Sequence, residues 1–291
     1  MLHKSWAVLS VLLVVGGVSM LLYPLCSGWA AENRQDEVIR TYQTDLKEFS
    51  RLELERARAE AQAYNRQLSQ TVRLSEKEGE GVWDLSYEQL LNENRDGIMS
   101  YIEIPKIGVN LPVYHGTSEA VLAKGAGHMQ NTALPVGGAT THCVISAHCG
   151  DPSAALFSDL DQLREEDMFY LHTLDEVLCY KVDQIKVVLP DETKEFGVVE
   201  GKDHVTLVTC TPYGINSHRL LVRGERVNQS EMIQNQLAGK GNRCSVGVRQ
   251  GNAILCTAGM AKETVQKLIQ IDNMGPSNQK TTDRRRFNFT P

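Results

Sequence analysis

The amino-acid sequence predicts a mostly-β protein, in which a barrel or sandwich of short strands follows an N-terminal transmembrane helix and a helical extension. Three observations support this fold class. An uncharged run opens the chain, and a segment rich in Glu, Arg, Ala and Gln, without Gly or Pro, follows it. Beyond residue 81, short β-branched runs alternate with Gly and Pro turn signals, and this density favours a mostly antiparallel barrel or sandwich.

The opening segment predicts a membrane anchor over residues 1–31. No charged residue lies between Lys4 and Glu32, and this stretch exceeds the roughly 20 residues that a membrane-spanning helix needs. Because the positive flank precedes the run and acidic residues follow it, we expect a cytoplasmic N-terminus and an exported remainder. A cleaved signal peptide is the alternative, since Gly28 and Ala30 fit the small-residue positions before a cleavage site.

Residues 32–80 predict a helical extension and linker. An apolar stripe recurs there at spacings of three and four, which is typical of an amphipathic helix that packs on its own domain. The stripe consists of Val38, Tyr42, Leu46 and Phe49. We therefore expect one or two helices, followed by a charged, glycine-bearing linker near residues 75–84.

Residues 81–229 carry the predicted strands and form the expected main domain. The strand-like runs are "MSYIEIP", "VNLPVYHG", "THCVISAHCG", "LCYKVDQIKVVLP", "HVTLVTC" and "HRLLVRGER". Residues 153–167 are the exception and predict a short helix. Over residues 230–291 the pattern weakens, and we expect a tail that is poorly ordered or divergent.

Composition excludes two classes of protein. The chain of 291 residues has a formal net charge of −6 and no continuous basic stripe, so we expect no nucleic-acid partner. Its seven cysteines are sparse, odd in number and without a C-x-x-C spacing. A disulfide-stapled scaffold is therefore disfavoured, and a conventional core must hold the domain together.

Three chemically reactive side-chain types stand at the ends of predicted strands. Side-chain alternation places His148 at the end of "THCVISAHCG" and Cys210 at the end of "TLVTC", while Arg219 opens "RLLVRG". If these ends are neighbours in the sheet, the three side chains form an acyl-transfer site. The thiolate would attack, the imidazole would accept and return a proton, and the guanidinium would stabilise the oxyanion.

These residues also have less specific interpretations. A cysteine that ends an apolar strand is more often a packed thiol than a nucleophile. Zinc is a second alternative, and its ligands would be His142, His148, Cys149 and Cys210. A disulfide between Cys143 and Cys149 is a third. The remaining positions of this kind are interpreted as surface or structural residues: Arg223, Arg226, His115 and His128.

The segment "TLVTCTPYGINSHRLLVRGER" resembles the active-site signature of the sortases, specifically class C, the pilus-assembling sortases of Gram-positive bacteria. The resemblance extends upstream through "DGIMSYIEIPKIGVNLPVYHGTSEAVLAKGAGHMQNTALPVGG" and "THCVISAHCGDPSAALFSDLDQL", so that it covers roughly residues 92–226. It implies an eight-stranded β-barrel with short helices.

The resemblance also implies an activity. The family's cysteine attacks a Leu-Pro-x-Thr-Gly-type sorting signal between Thr and Gly and forms a thioacyl enzyme, which in class C a lysine amine of another pilin resolves. By position, the nucleophile is Cys210, the histidine His148 and the arginine Arg219, while His142 is structural. The implied partners are pilin subunits with sorting signals and acceptor lysines, and the bacterial membrane through the N-terminal helix. The catalytic domain would lie on the extracellular face, and the chemistry needs no metal or organic cofactor.

The sequence departs from the family pattern in three places. Cys149 stands where the family has arginine, and Ala147 stands where it has glycine. No Asp-Pro-aromatic lid tripeptide occurs between Gln70 and Tyr87, and no second span of membrane length occurs near the C-terminus. Two functional alternatives stay open: a protease that passes the acyl group to water, and a non-enzymatic surface protein with a similar barrel.

Overall fold

The computed structural model describes residues 2–74, 87–150, 156–190, 192, 194–227, 247–250 and 253–256. Residues 75–86, where the lid tripeptide is missing from the sequence, therefore lie outside the described residues. The same holds for the side chains of residues 2–11, which belong to the predicted anchor. No helix within the described part of the chain combines the length and the apolar character that crossing a membrane requires.

Two long helices precede the sheet, as the periodicity of the extension predicted: α1 spans Leu2–Asp45 and α2 spans Arg51–Leu74. A capping box begins α2, because Glu53 accepts a hydrogen bond from the backbone N–H of Ser50 at 2.7 Å and Ser50 Oγ accepts one from the N–H of Glu53 at 3.3 Å. The Ser50 hydroxyl, which donates to the Glu53 carboxylate at 2.6 Å, and then the Ser50 backbone N–H lower the pKa of the Glu53 carboxyl.

The apolar stripe of the extension packs on the main domain. Tyr42 is buried, and Leu46 and Phe49 contact the same core. The Tyr42 hydroxyl donates a hydrogen bond to the carbonyl oxygen of Met99 at 3.3 Å and accepts one from the N–H of Leu174 at 3.1 Å. Helix α1 is therefore tied to the barrel by both apolar burial and polar contacts.

Eight strands close into a barrel in the order β1-β2-β3-β4-β7-β8-β6-β5. Their bounds are β1 Ile98–Ile104, β2 Val109–His115, β3 Ala126–His128, β4 Thr141–Ser146, β5 Met168–Thr173, β6 Glu176–Val188, β7 Asp203–Thr211 and β8 His218–Arg226. The β2–β3 and β4–β7 pairs are parallel, and the other neighbours are antiparallel. The mostly antiparallel barrel is confirmed, and its closure leaves no open sheet edge, which excludes the sandwich.

Helical structure between the strands is short. Helix α3 spans Glu119–Leu122. Within residues 153–167, where the sequence predicted a short helix, the described residues contain a short 3-10 helix, Leu160–Gln162. The backbone limits its length: Leu156 has a positive φ of 39° and Leu163 is extended, so helical geometry does not continue on either side.

Strand β4 shows how the barrel separates its two faces. Cys143 and Ile145 share the face that points into the main core. His142 and Val144 point outward and are nevertheless buried. A second apolar cluster forms on this outer face, covered by Met129 and Phe196, and its buried members are Val144, Val188, Val208 and Leu221. The strands next to the candidate site are thus packed on both faces.

The chain separates into two compact units, Met1–Gln229 and Ser230–Pro291. In the second unit the described residues form a two-stranded antiparallel sheet of β9, Gly247–Gln250, and β10, Ala253–Cys256. The expectation of a poorly ordered or divergent tail falls mainly on residues outside the described ones.

Candidate active site

Cys210 and Arg219 lie directly opposite each other on β7 and β8. In an antiparallel pair, directly opposed side chains share a face and have Cβ atoms about 4.5–5.5 Å apart. Both side chains are only partly buried. Arg219 Nη1 donates hydrogen bonds to the carbonyl oxygens of Asn216 and His218, both at 3.1 Å. These bonds hold the guanidinium beside the β7–β8 loop.

His148 follows the end of β4, the parallel neighbour of β7. The ladder pairs Ser146 with Val208, and it continues as the N–H of Ala147 donates to the carbonyl of Val208 at 3.1 Å. Thr209 Oγ1 then donates to the carbonyl of Ala147 at 2.9 Å. This register places His148 level with Cys210, two residues beyond the last ladder pair.

The structure therefore brings the three sequence-predicted site residues together at one end of three neighbouring strands. Their shared face is the outer face of the barrel, which they reach because Thr206, Val208 and Cys210 alternate on β7. The sequence located these strand ends, but it could not show that β4, β7 and β8 are neighbours. That order is a property of the barrel topology.

His148 also has a contact that sequence reasoning missed. Its Nε2 lies 3.2 Å from Oε1 of Glu119, which stands at the start of α3. The two residues are far apart in the sequence, and no local pattern signals their contact.

His142 is structural, as the resemblance implied. Its Nδ1–H donates to the carbonyl of Gly197 at 2.9 Å, and its Nε2 accepts from Thr206 Oγ1 at 2.7 Å. Burial lowers the pKa of His142 to about 4. Because both ring nitrogens are engaged and the ring is buried, His142 is not available to share a zinc ion with His148.

The other residues interpreted as structural behave accordingly. His128 is fully buried, burial lowers its pKa to about 4, and its Nε2–H donates to the carbonyl of Ala133 at 2.9 Å. The ring nitrogens of His115 face the carbonyls of Gly97 and Leu90 at 3.0 and 2.8 Å. The two arginines also have structural partners: Arg223 pairs with Asp183 at 2.5 Å, and Arg226 lies over the Tyr180 ring.

The four cysteines of the barrel separate into two kinds. Cys143 and Cys179 are buried, whereas Cys149 and Cys210 are partly exposed, and none of these four forms a disulfide. The disulfide between Cys143 and Cys149 is therefore not formed. Burial raises the pKa of Cys143 well above its usual value and that of Cys179 to about 12. The pKa of Cys149 is also raised, first by burial and then by the negative charge of a Cys210 thiolate.

One cluster of potential metal ligands lies farther along the same face. The ligand atoms of Asp183, His204 and Glu225 are within 4.8 Å of one another, and the buried Nδ1 of His204 has no hydrogen-bond partner. However, Asp183 is paired with Arg223 at 2.5 Å, and Glu225 is paired with Lys202 at 2.5 Å. These cations already neutralise both carboxylates, so the cluster offers little net attraction to a further cation.

These differences in burial predict a selective pattern of thiol alkylation. In the folded protein we expect Cys143 and Cys179 to resist iodoacetamide, because the thiolate is the reactive species and burial suppresses it. Labelling of Cys149 should accelerate as the pH rises, since its raised pKa leaves little thiolate at neutral pH. Peptide mapping by mass spectrometry, with the denatured protein as control, measures this. Labelling of native Cys143 as fast as in the denatured chain would contradict the burial argument.

Comparison with known proteins agrees with this architecture. The sortase domain model matches residues 102–227. The chain is 44% identical to Streptococcus pneumoniae sortase C, covering 66% of this chain and 97% of that one, with a TM-score of 0.58. For Streptococcus agalactiae sortase C1 the identity is 42%, the coverage 66% and 99%, and the TM-score 0.62. Sortase A of Bacillus anthracis is 25% identical over 227 residues, which are 77% of this chain and 96% of that protein. The chain thus belongs to the sortase family of cysteine transpeptidases, in its class C.

Proposed function

We propose that this sortase cleaves a Leu-Pro-x-Thr-Gly-type sorting signal through a thioacyl intermediate on Cys210 and transfers the acyl group to a lysine amine of another pilin subunit, assembling pili. The observation that carries the proposal is the cross-strand pair of Cys210 and Arg219 with His148 level with the thiol. Two similar structures support the substrate class: one is described in terms of pilin substrate specificity and another as a pilus-related sortase C.

Acylation requires one proton transfer and one new bond. The Cys210 thiol gives its proton to the His148 imidazole while Sγ attacks the carbonyl carbon of the signal's threonine, and the carbonyl electrons move to oxygen. Arg219 stabilises the resulting oxyanion, since its charge is permanent and its strand position is fixed. The Thr–Gly C–N bond then breaks, and the imidazolium returns the proton to the leaving amine.

Resolution of the thioacyl enzyme repeats these steps with an incoming nucleophile. A neutral lysine amine attacks the thioester carbonyl and loses a proton to His148, after which Sγ leaves and recovers that proton. The product is an isopeptide bond, and the free thiol is regenerated. Water in place of the amine would give hydrolysis, which is the protease alternative.

Apolar side chains beside the site suit this substrate. Tyr213 and Ile215, in the loop between Cys210 and Arg219, are 66% and 71% exposed. The Tyr213 ring packs on Gly150, where an added Cβ would lie 3.0 Å from a ring carbon. Exposed apolar groups next to reactive side chains are typical of a binding surface, and they match the leucine and proline of the sorting signal.

Cys210→Ala should abolish the thioacyl adduct with a sorting-signal peptide, because no other side chain at the site replaces the sulfur nucleophile. The matched control is Cys149→Ala, which removes the neighbouring partly exposed thiol and should keep the adduct. Intact-mass spectrometry measures the adduct, and pilus polymers in cells provide a second measurement. Polymers that persist in Cys210→Ala cells would support a non-enzymatic role instead, and an adduct on a residue other than Cys210 would also refute the proposal.

An assay with an amine acceptor distinguishes transpeptidation from proteolysis. With the peptide and a lysine-bearing pilin, the product should contain both in an isopeptide linkage. Product that never contains the acceptor, even when the acceptor is in excess, would identify the protein as a hydrolase.

Arg219→Gln should lower kcat by about 10²- to 10³-fold, the usual loss when one oxyanion donor is removed. Arg223→Gln is the control, because Arg223 lies on the same strand and is paired with Asp183. Its kcat should stay close to that of the wild type. Steady-state kinetics with the peptide and the acceptor measures both variants, and equal losses in the two would argue against a specific role for Arg219.

We further propose that residues 1–31 anchor the enzyme in the membrane with the barrel on the extracellular face. Support comes from the uncharged run between Lys4 and Glu32. The full chain should then stay in the membrane pellet after alkaline carbonate extraction, whereas a variant that lacks residues 1–31 should be released. Release of the full chain, or a mature N-terminus downstream of Ala30, would contradict anchoring.

A further inference from the structure

We propose that Glu119 is a positioning residue that orients the His148 imidazole and stabilises its protonated form during acyl transfer. The proposal deepens the function given above and rests on the role proposed there for His148. Its starting observation is the 3.2 Å contact between Glu119 Oε1 and His148 Nε2.

The fold brings Glu119 to this position through a close approach of two backbone segments. Helix α3 packs against β3, where Gly127 pairs with Ser146 of β4. A Cβ at Gly127 would collide with the carbonyl oxygen of Gly116 and lie 3.1 Å from a methyl carbon of Val121. Because Gly127 has no Cβ, the segment that carries Glu119 can pack closely against β3. From there its carboxylate reaches the residue just beyond the end of β4.

Backbone hydrogen bonds also fix the main-chain position of His148. The carbonyl of His148 accepts a hydrogen bond from the N–H of Phe157 at 3.1 Å, and the preceding Ala147 is hydrogen-bonded on both sides to β7. His148 thus has a defined main-chain position. Its ring orientation depends on side-chain contacts, and among the described residues the polar contact of the ring is the one with Glu119.

This contact determines which ring nitrogen can act as the base. A carboxylate can only accept a hydrogen bond, so the Glu119 carboxylate beside Nε2 of His148 favours the ring form that carries its proton on Nε2. In the neutral ring the lone pair then lies on Nδ1, and Nδ1 is the atom that takes the Cys210 proton. Once that proton has arrived the ring is a cation, and the Glu119 carboxylate offsets the unfavourable charge of Arg219 across the site. Glu119 would thus act as a carboxylate that orients a catalytic imidazole.

The expected size of the effect is modest. The Glu119 side chain is 87% exposed and the His148 side chain 29% exposed, so water and salt screen the pair. Exposed ion pairs of this kind correspond to about a two- to fivefold change in an equilibrium or a rate. Glu119 therefore tunes the rate of acyl transfer without being essential to it.

Three substitutions in the full chain separate charge from orientation. Glu119→Gln keeps an oxygen acceptor without the charge, Glu119→Ala removes both, and Glu119→Asp keeps the charge on a shorter side chain. At low ionic strength we expect kcat to fall about two- to fivefold for Gln, at least as much for Ala, and less for Asp, with KM unchanged. At about 1 M salt, where the Debye length is about 3 Å, the kcat of the Glu119→Gln variant should be closer to that of the wild type.

The assay uses a sorting-signal peptide with an amine acceptor, and thermal unfolding confirms that each variant folds. Glu48→Gln is the control, since Glu48 is an exposed glutamate between α1 and α2 and its loss should leave kcat unchanged. The proposal is overturned if Gln and Ala variants match the wild type, if their deficit lies only in KM, or if it persists undiminished at high salt. Absence of a Cys210 adduct in the wild type would instead overturn the proposed function itself, together with this inference.

Discussion

The candidate site depends on the hydrogen-bond register of β7 with its two neighbours. The parallel ladder to β4 pairs Ser146 with Val208, and the antiparallel ladder to β8 pairs Cys210 with Arg219. Because side chains alternate with a period of two, a slip of one residue in either ladder would move a reactive group to the opposite face of the barrel. The alignment of the thiol with the guanidinium is therefore a consequence of strand pairing, and His148 follows two residues beyond the last paired residue of β4.

Packing on both faces of these strands explains why the register is well defined. On the inner face Ile145, Leu207 and Val222 are fully buried in the main core, and on the outer face Val144 and Val208 belong to the second apolar cluster. A slip would exchange these two sets and expose apolar surface on both sides. Burying both faces is also typical of strands in parallel pairing, such as β4 with β7.

A buried polar pair adds specificity to this packing. His142 of β4 and Thr206 of β7 are diagonal neighbours across the two strands. The Thr206 hydroxyl donates to Nε2 of His142, and the opposite ring nitrogen donates to the carbonyl of Gly197. A displaced register would leave these buried groups without partners, which costs more than the hydrogen bonds themselves contribute. His142, which the resemblance implied to be structural, thus helps to hold β4, the strand that His148 follows.

The local features of this site could be predicted from the sequence, whereas its tertiary contacts could not. Alternation within a strand depends only on backbone geometry, so it correctly placed Cys210 and Arg219 at their strand ends, whereas the neighbour order of β4, β7 and β8 comes from the barrel topology. The contact of Glu119 with His148 had no local signal, because it arises from the packing of α3 on β3. The short helix predicted within residues 153–167 is a single 3-10 turn, and apolar spacing could not show this limit because it does not reveal a positive φ, such as that of Leu156.

The helical extension links this site to the proposed membrane anchor. Asn65 of α2 exchanges two hydrogen bonds with the backbone of Leu134, at 3.1 and 2.7 Å, and Tyr42 of α1 is bonded to Met99 and Leu174 of the barrel. Such buried contacts make the extension part of the folded domain, so it does not behave as a flexible tether. With a rise of about 1.5 Å per residue, the helix from residue 31 to Tyr42 spans about 16 Å. On the proposed anchoring, α1 would therefore hold the barrel close to the membrane in a defined orientation, where membrane-bound pilin subunits could reach the site.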